Sequence, residues 1–228
     1  MKKCVVIPVY NSPHVREVIS DVLNYGYEVI VVDDGSTIKV DIKNLDIHLV
    51  THEINMGKGE AILSGAKIAK KMGYKSFVTV DADKQHISSE IAKLVDAYED
   101  DFIIIGNRNF EDKNVPKSSI FGRKFSNFWV NLETFQKLKD TQSGFRIYPI
   151  SILDLKTINR RFDFEIEVLV LHCFRGGRVK EVEVKCYYPP IQERISHFDK
   201  VKDNIRLSKI HTKLVIQRFF LLRGFLWN

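Results

Sequence analysis

Five short runs rich in Val and Ile, Lys3 to Val9, Tyr27 to Val32, Ile47 to Thr51, Ser76 to Val80 and Phe102 to Ile105, alternate with segments whose apolar residues recur at helical spacing. Runs this short and this apolar fit strands buried on both faces. The helical segments, Pro13 to Asn24, Gly59 to Met72 and Ser88 to Tyr98, each open on a small, polar or proline residue. Such β-α-β alternation leaves few folds open. It predicts an α/β fold with a central, mostly parallel sheet flanked by helices, and ligands at the carboxyl ends of the strands.

Composition narrows the class. A chain of 228 residues, 44% hydrophobic and 28% charged, can build one sizeable α/β core. Cys4, Cys173 and Cys186 are odd in number and form no Cys-x-x-Cys pair, so reduced thiols are expected rather than a disulfide framework. Met1-Lys2-Lys3 leads straight into a strand-like run too short for a signal peptide, and no uncharged apolar run is long enough to span a bilayer. A soluble, cytoplasmic catalytic body is the expectation. The net charge of +6, with Lys and Arg gathered in the last quarter, suggests an anionic partner. Without an RNA-binding signature, zinc-ligand spacing or a helix-turn-helix pattern, nucleic acid ranks below an acidic membrane surface or a phosphate-bearing substrate. His14, His48, His172 and His211 show no metal-ligand spacing and read as structural or solvated.

The polar motifs fall at the predicted strand ends. The first strand ends Ile7-Pro-Val-Tyr-Asn11 with no glycine after it, so the Gly-x-Gly-x-x-Gly turn of a dinucleotide-binding dehydrogenase is missing. Tyr10 suits stacking on a base and Asn11 a cap on the next helix; a plain strand-to-helix turn accounts for both equally well. Asp33 and Asp34 are placed to accept hydrogen bonds from a nucleobase or ribose. With Gly35 and Ser36, they also fit a cap and tight turn. Asn55-Met-Gly-Lys-Gly-Glu60 leads into a helix whose first amides suit a phosphate, with Lys58 neutralising a diphosphate; ordinary capping competes, and P-loop spacing is absent. In Val78-Thr-Val-Asp-Ala-Asp-Lys-Gln-His86, an apolar strand stops on Asp81 and Asp83, which can share one hard cation while Gln85 adds a neutral oxygen. Alone, that triplet reads more simply as a solvated polar turn.

Taken in order, Ile7-Pro-Val-Tyr-Asn11, Val32-Asp-Asp-Gly-Ser36, Asn55-Met-Gly-Lys-Gly59, Asp81-Ala-Asp-Lys-Gln-His86, Gly106-Asn-Arg108 and Asp140-Thr-Gln-Ser-Gly-Phe-Arg146 resemble the motif series of family 2 glycosyltransferases of the Rossmann-like GT-A fold. The resemblance covers about residues 3 to 200. It is strongest to the dolichol-phosphate and polyprenyl-phosphate mannosyl- and glucosyltransferases, and an ordered series is far more specific than any one motif. It implies a nucleoside pocket lined by Pro8, Tyr10, Asn11, Asp33 and Asp34, with Asp34 first for the base and Lys58 nearby. Asp81, Ala82 and Asp83 would meet the donor diphosphate. Asp81, Asp83 and Gln85 would hold Mg2+ or Mn2+. Lys139 and Ser143 match the positions that hold an acceptor phosphate, and Arg123 is a second clamp. Arg194, in Glu193-Arg-Ile-Ser-His-Phe198, would fold over the diphosphate. The series departs at His197, where lysine is usual, and at Lys84, where the metal loop commonly has glycine or leucine.

The implied activity is inverting transfer of a sugar from a GDP- or UDP-sugar to a lipid-linked acceptor, a polyprenyl phosphate first, at the inner face of the cell membrane. For a hydroxyl acceptor, Asp140 is the candidate base. Asp163 and Glu165 fit better as residues that cap and orient a helix. The alternatives are a sugar-phosphate nucleotidyltransferase, which wants a glycine-rich basic first loop absent between Tyr10 and His14, and a non-catalytic nucleotide-binding protein. A catalytic domain over residues 1–197 is expected, followed by a basic amphipathic helical segment over 198–228. The latter alternates basic and bulky apolar residues and suits a membrane interface, packing on the sheet, or a second subunit.

Overall fold

The computed structural model describes residues 4–108, 115, 117–188 and 202–226. Strands β1 (Cys4–Val9), β2 (Glu28–Asp33), β3 (His48–Thr51), β4 (Ser76–Thr79) and β5 (Phe102–Arg108) alternate with helices α1 (Val15–Asn24), α2 (Lys58–Lys71) and α3 (Ile91–Asp96), the last opened by a 3-10 turn at Ser88–Glu90. There follow α4 (Lys117–Thr134), β6 (Arg146–Pro149), a 3-10 turn at Ile150–Asp154, α5 (Phe164–Phe174), β7 (Arg178–Val184) and α6 (Lys202–Leu226). The strands form one sheet in the order β3-β2-β1-β4-β6-β5-β7. All neighbours are parallel except β6, which runs antiparallel between β4 and β5.

Side chains alternate across β1. Cys4 and Val6 enter one core cluster with Ile30, Ala66, Leu169 and Leu214, whereas Val5, Ile7 and Val9 enter the other with Ile19, Val31, Leu94 and Phe145. The sheet is thereby covered on both faces, as its central apolar strands require. Helix α2 comes very close to β1 at Gly65, where an added Cβ would stand 2.4 Å from Val6 Cγ1.

The carboxyl-terminal helix packs through its first half: Leu207, Ile210 and Leu214 are buried in the first cluster. Further along, Ile216, Phe219 and Phe220 are exposed. Among the described residues, no helix is long and apolar enough to cross a membrane.

Candidate active site

The carboxyl ends of β1, β2 and β4 place the sequence motifs on one edge of the sheet. Asp81 follows β4, and its Oδ1 lies 2.7 Å from Nζ of Lys58 in the first turn of α2. Lys58 Nζ also lies 3.2 Å from Glu165 Oε1 in the first turn of α5. Burial works to raise the Asp81 carboxyl, but the Lys58 charge and its hydrogen bond outweigh it and hold the group down to about 2. Asp83 is pushed the other way, first by burial and then by the neighbouring Asp81 charge. His86 accepts a hydrogen bond from the Asp81 amide at Nδ1 (3.0 Å), which leaves its ring hydrogen on Nε2, 3.9 Å from Asp81 Oδ2. Stacked on Phe145 at 4.8 Å and pushed down by burial, His86 stands as a neutral ring behind the carboxylate.

Gly144 completes this corner. An added Cβ there would lie 2.6 Å from Lys58 Nζ, 2.7 Å from Asp81 Oδ2 and 3.1 Å from Glu165 Oε1. The missing side chain lets the ammonium and both carboxylates pack against the backbone here.

The loops expected to form a nucleoside pocket are tied to one another. Pro8 is buried within β1 opposite Val32. Tyr10 and Asn11 follow it half-buried, and Asn11 is left-handed at φ 49°. Asn11 does not cap α1. Its Oδ1 accepts from the Thr37 amide (2.8 Å) and its amide donates to Ser36 Oγ (2.9 Å), while the α1 cap position is His14, with no side-chain cap bond. Asp33 closes the turn by accepting from the Ser36 amide (3.0 Å).

Asp34, first in expectation for the base, is 2% exposed. Its Oδ1 takes the Met56 amide (2.9 Å) and His52 Nδ1 (2.7 Å), and its Oδ2 the Gly57 amide (2.7 Å). Both oxygens are engaged in holding the loop that delivers Lys58. The first amides of α2 do not face a phosphate either: Gly59 and Glu60 donate to the Arg160 carbonyl (2.8 and 3.3 Å). Gly57, at φ 102°, would meet that same carbonyl with an added Cβ at 2.3 Å, so the glycines admit the chain before α5.

On the other side of the Asp-x-Asp loop, the fifth and sixth motifs meet as one ion pair. Arg108 ends β5, and its Nε and Nη2 donate to Oδ2 and Oδ1 of Asp140 at 2.8 and 2.9 Å, with the Arg108 amide adding a bond of 3.1 Å. Asp140 is 0% exposed. A fully buried carboxylate engaged by a guanidinium fork cannot reach a substrate hydroxyl, so the geometry does not favour Asp140 as the base. Burial opposes the Arg108 charge, and Asp140 more than restores it, raising the guanidinium's proton affinity.

Arg123, on α4, donates from Nη1 to the Arg108 carbonyl (3.5 Å), and Lys139 is exposed with its amide on Glu181. Ser143 is fully buried, its hydroxyl accepting from the Phe145 amide (3.3 Å) within its own loop. Arg146, also fully buried, holds that loop against α5: its guanidinium donates to the carbonyls of Ser143 (2.6 Å), Thr141 (2.7 Å) and Glu165 (2.8 Å).

Residues 4–160 match the sequence profile described as Glycosyl transferase family 2. The chain belongs to that family. This family 2 glycosyltransferase is 30% identical over 231 residues to an uncharacterised protein of Methanocaldococcus jannaschii, covering 95% of this chain and 92% of the relative. It is 28% identical over 213 residues to the UDP-N-acetylglucosamine–dolichyl-phosphate N-acetylglucosaminyltransferase of Methanococcus voltae, covering 80% of this chain and 84% of that enzyme. Its fold superposes with a TM-score of 0.66 and 17% identity on glucosyl-3-phosphoglycerate synthase from Mycobacterium tuberculosis, solved with Mn2+, UDP and glucosyl-3-phosphoglycerate, over 95% of this chain and 79% of that one. The fold is GT-A.

In this family 2 glycosyltransferase the donor set fits a hard divalent cation. Among the described residues no group of three or more His, Cys, Asp or Glu gathers for a metal. Asp81 and Asp83, close enough that the charge of one acts on the other, suit an ion that keeps coordination positions for phosphate oxygens. Gln85 follows Asp83, whose Oδ1 accepts the Gln85 amide (3.0 Å), while the Gln85 carbonyl accepts from the Tyr187 amide (2.9 Å). Lys84, between them, is left-handed at φ 65° and pairs with Glu17 of α1. That backbone explains why glycine is common at the position.

Sequence reasoning missed Ser12, whose hydroxyl donates to the Ala82 carbonyl (2.5 Å), and it placed Glu165 at a helix cap rather than beside Lys58. Asp163 does occupy the α5 cap position, yet makes no side-chain cap bond. Arg194 and His197 lie outside the described residues.

Proposed function

We propose that this chain is a metal-dependent, inverting glycosyltransferase that moves a sugar from a nucleotide-sugar to a polyprenyl phosphate at the inner face of the cell membrane. The observation that carries the reading is the Asp81 carboxylate, held ionised just after β4 beside Asp83 and Lys58, with Gly144 packed against the pair. Mg2+ or Mn2+ held by Asp81, Asp83 and Gln85 would supply charge to offset the leaving diphosphate.

The chain's own residues do the rest. Lys58 stands where negative charge develops on the diphosphate as the anomeric bond breaks, and a fixed ammonium in a half-dry corner stabilises that charge without reorganising. Tyr10, Asn11 and Asp33 frame the donor edge of the sheet, while Asp34 sets the loop that brings Lys58 to Asp81. Arg123 and Lys139 hold the acceptor anion. A phosphate oxygen is already a nucleophile near neutral pH and needs positioning more than proton removal. The engagement of Asp140 by Arg108 supports this acceptor over a hydroxyl, because the candidate base has no reach. Attack from the face opposite the diphosphate inverts the anomeric centre. The uridine-dependent, dolichyl-phosphate chemistry named for the Methanococcus voltae relative supports the same substrate classes.

The test is calorimetric titration with a panel of GDP- and UDP-sugars, with and without Mn2+, followed by addition of a short-chain polyprenyl phosphate. Metal-dependent binding of one donor, nucleoside diphosphate release on adding the acceptor, and loss of both in Asp83→Ala are expected. Folded protein that binds no donor overturns the reading.

A further inference from the structure

Helix α4 carries four large apolar side chains on its outer surface, Phe121 (71% exposed), Phe125 (39%), Phe128 (62%) and Leu132 (47%), and Phe135 (62%) follows its end. The spacing of four, three and four residues from Phe121 to Leu132 puts those four on one stripe of the helix. The opposite side is occupied by Ser126, Val130, Glu133 and Thr134, which are buried, so the helix already has a core face and the stripe is additional to it. Scattered exposed apolar residues are ordinary, but a continuous aromatic stripe along a helix of 18 residues marks a contact surface. The residue just past the helix reinforces this. Phe135 sits at φ 57°, a backbone region that favours glycine, and keeps a bulky ring there without burying it in the core. The Arg218 guanidinium of α6 lies 4.5 Å from the centroid of that ring.

We infer that this stripe is the face on which the protein docks to an anionic lipid bilayer. The charge around it selects the occupant. Lys124, Lys137 and Lys139 are exposed on α4 and the segment after it, whereas Glu133, the one carboxylate of α4, is buried 2.9 Å from His211. A second copy docking through this face would set lysine against lysine. Anionic headgroups complement the lysines while the acyl region receives the rings.

The placement deepens the lipid-phosphate reading above, on which it rests. Asn127 of the same helix donates to the Lys139 carbonyl (2.5 Å) and accepts from the Thr141 amide (3.0 Å), and Arg123 reaches the end of β5. A bilayer that seats α4 therefore presents its headgroup phosphates at the level of Arg123 and Lys139.

The decisive experiment uses the full chain with vesicles of phosphatidylcholine and phosphatidylglycerol, containing no polyprenyl phosphate and no donor, so that its result is independent of transfer. Co-sedimentation is compared for the wild type, the triple variant Phe121→Ser/Phe128→Ser/Phe135→Ser, and Phe219→Ser/Phe220→Ser on α6. We expect the α4 variant to bind at least about tenfold more weakly, with its melting temperature and nucleotide titration retained, and the wild type to bind pure phosphatidylcholine about as poorly as that variant. Loss confined to the α6 variant overturns the assignment and moves the contact to α6. A wild-type dimer in sedimentation equilibrium that the α4 variant splits, with vesicle binding unchanged, overturns it in favour of a second copy.

Discussion

Lys58 of α2 and Asp81 after β4 join two separate strand-helix units through a contact of 2.7 Å between Nζ and Oδ1. The pair sets one positive and one negative group side by side at the sheet edge, and their mutual attraction keeps both charged against the pull of burial. Lys58 owes its place to Asp34, which fixes the Met56 and Gly57 amides just before it. Substituting Lys58→Gln keeps a polar side chain one atom shorter and removes the charge. The expected loss in kcat is roughly 100- to 1000-fold, the scale for deleting one preorganised group facing developing charge. Initial rates at saturating donor check this; a change in KM alone would assign Lys58 to ground-state binding.

Gly144→Ala probes the same corner by volume. The new Cβ would fall within 2.7 Å of both Lys58 Nζ and Asp81 Oδ2, so the ion pair must open or the loop must move. Metal-dependent nucleotide affinity should fall at least about tenfold while the melting temperature stays within a few degrees, because the loss is local to the site. Parallel calorimetry and thermal unfolding separate the two effects, and unchanged affinity would place the metal away from Asp81.

Much of this arrangement was legible before any coordinates. The first five strands and the first three helices follow from apolar runs long enough to show their period, and the six motifs lie at strand ends because ligands do. What escaped has physical reasons. Strand β6 is four residues long and opens on Arg146, whose charge is buried only because carbonyls from two other segments converge on it. Strand β7 is an edge strand whose charged residues, Arg178, Lys180, Glu181 and Glu183, mask its valines. Helix α4 reads inside out, with small polar Ser126 and Thr134 in the core and phenylalanines outside. The role of Glu165 depends on the start of α5 meeting the start of α2, a contact no local pattern encodes.

Arg146 gives a stability prediction with a functional readout. Its guanidinium satisfies three carbonyls and lies 3.2 Å from the Tyr148 hydroxyl, an arrangement that lysine cannot reproduce with one ammonium. Arg146→Lys should cost about 3 kcal/mol, since each buried carbonyl left unpaired costs roughly 1–3 kcal/mol. Urea unfolding measures the cost. The loop from Thr141 to Gly144 should loosen as well, seen as faster amide exchange there than in β1.

Glu90 supplies the pH dependence. Burial pushes its carboxyl up, but Lys93 (Nζ at 2.7 Å) and the Lys185 amide (2.9 Å) outweigh burial and hold it below its ordinary value of 4.5. The unfolded chain therefore takes up the proton first. The stabilising contribution is complete above pH 4.5 and is lost as the pH falls below it. The stability difference between the wild type and Glu90→Gln should favour the wild type at neutral pH and shrink steadily under acid, as followed by urea unfolding across that range. A difference that is flat with pH would mean that the hydrogen bonds to Glu90 do not depend on its charge.

Asp140 and Arg108 pose the sharpest choice between a chemical and an architectural role. Asp140 is fully buried and accepts both arms of the Arg108 fork together with the Arg108 amide. Removing one partner of such a pair strands the other, at about 3 kcal/mol or more. Asp140→Asn should therefore lower the melting temperature by roughly 10 °C for a chain of this size. Where the variant remains folded, the pH dependence of its rate should keep its shape, since no titrating base has been lost. The double variant Asp140→Asn/Arg108→Gln should be less destabilised than the sum of the two single variants, as expected for groups that act through each other. A catalytic base would behave in the opposite way: full stability, no turnover, and an acid limb missing from the rate profile.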